Sequence, residues 1–182
     1  MNVAPTWDLL ITILSVVIVA YSVIIGTNST VKVILSTYVG ILCADGLGNV
    51  LYYLGNNSGS RMTSFLFNGP DAAVLIKVII MVTIIVAMML KGSFSVDLGE
   101  TGGLLDILLL LLMGVLSAGL IVTSILVFVS GGAFLTSGAI GATDLAVDIY
   151  NTSELAQLMI SNASFIIALP GLAFMIMSWF TE

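Results

Sequence analysis

Leu104 to Val129 runs LLDILLLLLMGVLSAGLIVTSILVFV, an apolar stretch whose one charge, Asp106, sits at its start. A helix of this length exceeds the ~30 Å thickness of a bilayer's hydrocarbon core. Leu9 to Ile25, Val31 to Leu54, Ala72 to Leu90 and Ala163 to Phe180 are apolar runs of the same kind. Lipid offers no hydrogen bonds to the backbone, so such segments must pair their peptide groups internally as helices. The expected fold class is an all-α integral membrane protein with four to five transmembrane helices and a surface amphipathic helix.

Composition agrees with the pattern. Of 182 residues 59% are hydrophobic and 8% charged, where a soluble domain carries roughly 25% charged residues. Ten acids stand against four bases, for a net charge of −6. So few bases leave no surface for neutralising phosphates, and no nucleic-acid partner is expected. With no histidine and a single cysteine, Cys43, zinc, haem and Cys/His catalysis lack their usual side chains, and neither cofactor nor metal is expected. Serines and aspartates are present, but no nucleophile stands at helical spacing from a base, so the reading is non-enzymatic.

Three regions follow in order. Residues 1–129 form a four-helix membrane core. Trp7 marks the interface before the first helix, and the link GTNST at 26–30 reads as a polar turn whose Ser29 or Thr30 caps the second helix. Residues 55–71, rich in Gly, Asn and Ser, read as a loop with an apolar patch at Phe65 to Phe67. Residues 91–103 form a polar connector. Residues 130–162 hold a glycine-rich loop and an amphipathic surface segment, with Leu145, Ile149, Leu155 and Leu158 as its apolar positions. Residues 163–182 form a C-terminal apolar helix that Pro170 and Gly171 mark as kinked or re-entrant.

The second helix, STYVGILCADGLGNVLYYL at 36–54, is the most informative segment. Ser36, Gly40, Ala44 and Gly48 recur every four residues, a narrow strip with almost no side chain on which a second helix can lie closely. Gly114 and Ala118 repeat the interval on the fourth helix. Two such strips predict that these helices pack on each other or on a second subunit. Beside the first strip stand Asp45 and Asn49.

Charges inside a membrane are expensive and are paired or turned inward. Asp45 lies ~14 Å from the end of its helix at Leu54, and Lys77 ~8 Å in from Ala72 on the same side, at ~1.5 Å rise per residue. A lysine stem spans the difference. Asp106, at the opposite surface, suits Lys91 better. Asp45, Asn49 and Lys77 are therefore the intramembrane polar candidates, either holding helices together or forming an ion or proton site. The four bases, Lys32, Arg61, Lys77 and Lys91, lean the N-terminus toward the outside.

WDLLITILSVVIVAYSVIIG, the following VKVILSTYVGILCADGLG, and GGLLDILLLLLMGVLSAGLIVTSIL together resemble the colicin V production protein family of bacterial inner-membrane proteins, over residues 7–129. The family's basic turn after its first helix is represented here by Lys32 alone. The resemblance implies a multi-pass protein of the cell membrane with a four-helix core, serving peptide export or envelope maintenance, and it transfers no catalytic residue. Two functional expectations result. One is a subunit working through helix packing, as a homo-oligomer or with other membrane subunits in the lipid bilayer. The other is a small ion- or proton-coupled transporter or channel using Asp45.

Overall fold

In the computed structural model, which describes residues 6–57, 70–92, 104–132 and 144–180, the chain forms seven helices and no strand among those residues. They are α1 (Trp7–Ile25), α2 (Thr27–Asn57), α3 (Pro70–Lys91), α4 (Leu104–Val129), α5 (Asp144–Thr152), α6 (Glu154–Ser161) and α7 (Ala163–Phe180). Four of them, α1 to α4, are long and apolar enough to cross a membrane, and the bent pair α6–α7 makes up to five. The chain is a multi-helix membrane protein. The expected patch at Phe65 to Phe67, residues 93–103 of the connector and the side chain of Asp106 fall outside the described residues, while Lys91, the connector's expected first residue, ends α3.

The turn between α1 and α2 is tighter than the polar link suggests. Gly26 adopts φ 84°, a left-handed conformation that a side chain disfavours, and it closes α1 by donating its N–H to the Ser22 carbonyl at 3.1 Å. One residue therefore reverses the chain, and α2 begins at Thr27. Ser29 and Thr30 are consequently inside α2 and are not its caps. The Thr30 hydroxyl, fully buried, donates to the carbonyls of Gly26 at 2.9 Å and Ser22 at 3.3 Å, tying the two helices together.

α4 is the central helix. It packs on α1, α2, α3 and α7, while α2 makes its most extensive contact with α3. Half of the spanning stretch of α2 and of α4 is buried, against 22% of α3 and 11% of α1, so the chain itself leaves most of the surface of α1 and α3 uncovered. Two apolar clusters divide the faces of α4. Met113, Leu120 and Phe128 join Ile34, Ile41, Ala44 and Met81 of α2 and α3. Val122 and Leu126 face the other way, toward Ile11 of α1, Ile149 of α5 and Ala156 of α6. This split follows from the helical period, which turns positions 113, 120 and 128 away from 122 and 126.

The expected amphipathic segment is two short helices. Ser153 leaves the helical conformation at φ −122°, ψ 112°, and its hydroxyl accepts from the Ala156 N–H at 3.0 Å, so it ends α5 and caps α6. The break changes the inward face. Ile149 and Ala156 are buried, whereas Leu155 and Leu158 are exposed, unlike the single stripe that a continuous helix predicts. The bend that the C-terminal region shows is also displaced: α6 and α7 meet at 65° around Asn162, and Pro170 lies inside an unbroken α7. The Ile167 carbonyl, one turn before the proline, accepts from the Tyr38 hydroxyl of α2.

Candidate intramembrane ion-pair site

The strip of small residues on α2 determines where α3 lies. Ser36 and Ala44 are fully buried and Gly40 is nearly so. A Cβ added at Gly40 would stand 3.1 Å from the Met81 carbonyl oxygen, and one at Gly48 only 2.6 Å from Cγ of Lys77. The backbone of α2 is thus in direct contact with α3. Packing of this closeness supplies dispersion energy where lipid provides no hydrophobic driving force.

Gly114 has a different neighbour. A Cβ there would lie 3.2 Å from Cβ of Ser22, on α1, and Ala118 borders a groove between α1 and α4. The two strips therefore face separate partners within the chain, α3 and α1. The two helices do pack on each other, as expected, but through other faces than these strips. The reason is topological: α4 enters the bundle between α1 and the α2–α3 pair, so its opposite faces meet different helices.

The notch at Gly48 receives the lysine. Lys77 runs its aliphatic stem across Gly48 and places Nζ 2.8 Å from Oδ1 of Asp45, with 2% and 0% of the two side chains exposed. The Asn49 amide donates to the same oxygen over a long 3.4 Å. From α4, the Phe128 ring stands with its centroid 5.7 Å from the ammonium, within the range of a cation–π contact. Asp45, Asn49 and Lys77 are accordingly brought together, one turn of α2 separating the carboxylate from the amide.

Comparison of the chain with family models, curated proteins and solved structures finds no match. The chemistry of the site rests on its own geometry. A lone charge here would face a large desolvation penalty, and removing one partner of a buried pair is strongly destabilising. The pair is neutral as a unit, and it joins α2 to α3 at a point where the backbones are already close.

Two further sets of polar groups were not distinguishable from the sequence. The first is a group of buried hydroxyls on α2 and α4. Thr37 and Ser124 donate to the carbonyls four residues earlier in their own helices, at 2.7 and 2.6 Å, as hydroxyls in membrane helices commonly do. Ser36, Ser117 and Thr123, equally buried, have no partner among the described residues. Sequence marks all five as membrane hydroxyls and gives no means of sorting them.

The second set lies at the N-terminal end of α1. Asp8 accepts from the Ser153 hydroxyl and from the Leu155 N–H at 3.3 Å, so its carboxylate sits at the N-terminus of α6, where negative charge is favoured. Trp7 beside it donates its indole N–H to Asp148 at 3.3 Å. The first turn of α1 thereby binds α5 and α6 across 141 to 147 positions of chain. Ser153 before an apolar segment is a recognisable capping signal, but nothing in the sequence designates Asp8 as its partner.

Proposed function

We propose that the chain is a non-enzymatic, multi-pass protein of the cell membrane that acts as a subunit, either of its own oligomer or of an envelope or export assembly of the colicin V production kind. The observation that supports this reading is the groove between α1 and α4. It holds about 470 Å³ and is lined by Ser15, Ala20, Ala118 and Gly119 together with three valines. Small residues on a lipid-facing groove allow a further helix to approach closely, and α1 is the spanning helix with the least burial inside the chain.

The test is the mass of the purified protein in lipid nanodiscs, with Ala20→Leu as the variant that fills the groove from an exposed position. The wild type is expected to associate, and Ala20→Leu to shift the population toward monomer without loss of thermal stability. A monomeric wild type, together with no specific membrane cross-link from an Ala20→Cys variant, contradicts the reading.

A second reading, ion- or proton-coupled transport through Asp45, is favoured by the buried pair with Lys77. It is compatible with a subunit role, since the groove and the pair lie on different helix faces.

A further inference from the structure

We propose that Lys77 is the residue that secures α2 in the membrane: α2 crosses stably only once α3 lies beside it and supplies the ammonium that neutralises Asp45. The pair thereby serves the assembly of the bundle, whatever the bundle then does.

The four spanning helices are not equally suited to lipid. α2 is the least apolar of them and α3 the most. Thr30, Ser36, Thr37 and Asp45 of α2 are all buried, so its polar groups depend on neighbouring helices for cover. Asp45 is the most demanding, since a carboxylate inside a spanning helix weighs heavily against insertion. α1 does not offset it, because α1 carries no base. Within α2 the one base, Lys32, stands 13 positions from Asp45, ~20 Å at the helical rise and beyond the reach of its side chain. The ammonium that meets the carboxylate comes from α3.

The dependence is one-sided. Lys77 lies seven positions after the start of α3 at Pro70, so before pairing its long stem carries the ammonium toward the near surface. The short side chain of Asp45 has no such escape. The contact between the two helices is shaped for their meeting. Gly48 leaves the space in which the lysine stem crosses α2, and Gly40 admits the backbone of α3 at Met81. Nζ then stands 2.8 Å from Oδ1 of Asp45, with both side chains withdrawn from the surface. Phe128 of α4, 5.7 Å from the ammonium, closes the site last in chain order.

Full-length protein in cells tests this through the side of the membrane on which the end of α2 emerges. Two reporter chains, Thr6→Cys and Asn57→Cys, each in a Cys43→Ser background, mark the start of α1 and the end of α2. Both are labelled with a membrane-impermeant maleimide before and after permeabilisation. With α1 and α2 both crossing, the two positions label from the same side. Lys77→Met is expected to leave Thr6→Cys unchanged and to move a measurable fraction of Asn57→Cys to the opposite side. Lys77→Arg, which keeps the charge, is expected to label as the parent chains do. So is Asp45→Asn combined with Lys77→Met, which removes both charges together, a replacement that buried pairs often tolerate. Asp45→Asn alone is expected to label like the parent although it weakens the folded bundle, which separates insertion from stability. Gly40→Leu obstructs the packing against Met81 without touching a charge, and is expected to lower thermal stability with Asn57→Cys still on the side of Thr6→Cys. Unchanged labelling in Lys77→Met, an equal displacement in Gly40→Leu, or no recovery in the double variant overturns the proposal. Parent chains whose two positions label from opposite sides overturn it as well.

Discussion

At the scale of single residues, the absence of a side chain at Gly48 is what admits Lys77. Its Cβ position is 2.6 Å from Cγ of the lysine, near the root of that side chain rather than its flexible end, so an added methyl must displace the whole stem. Gly48→Ala is therefore expected to lower stability by about 1–3 kcal/mol, the usual range for overpacking, measured by unfolding in mixed detergent micelles. Gly46, with nothing near its Cβ position, is the control: Gly46→Ala should have little effect or stabilise α2. Equal losses at both positions would mean that the lysine does not occupy the notch. The pairing of Asp45 with Lys77 was legible in the sequence because depth along a helix is simple arithmetic and only one base lay within reach. Phe128 was not legible, since its approach to the ammonium depends on the rotation of α4.

At the scale of elements, sequence periodicity located the long helices well and their ends less so. Apolar length dominates a spanning helix, which is why α3 and α4 match the runs Ala72 to Leu90 and Leu104 to Val129 closely. The ends depend on local chemistry that a hydropathy pattern does not weigh. Gly26 makes the α1–α2 turn alone, converting four polar residues into helix, and Ser153 divides a segment whose spacing suits one continuous helix. The capping role of Ser153 gives a direct prediction. Ser153→Ala removes both the bond to the Ala156 N–H and the donor to Asp8, and is expected to destabilise α6 by about 0.5–2 kcal/mol. Hydrogen exchange in the first turn of α6 should rise while that of α4 stays unchanged. Unaltered protection at Leu155 and Ala156 would show that the cap does not hold this turn.

For the whole molecule, topology explains what neither residue nor element does alone. Four antiparallel crossings bring the start of α1 and the end of α4 to the same face, and there the α5–α6 layer is held by Asp8 and Trp7. The ion pair lies below that face, among α2, α3 and α4. The two small-residue strips were visible in the sequence, but their partners were set by the order in which helices enter the bundle, and α4 separates them. Asp45 and Lys77 thus act as one neutral unit joining α2 to α3. A double-mutant cycle on the stability of the intact bundle tests it most directly, using Asp45→Asn, Lys77→Met and the two together. Each single change is expected to lose about 3–5 kcal/mol, because it leaves an uncompensated buried charge, and the double change far less than their sum. Losses that simply add would contradict the claim.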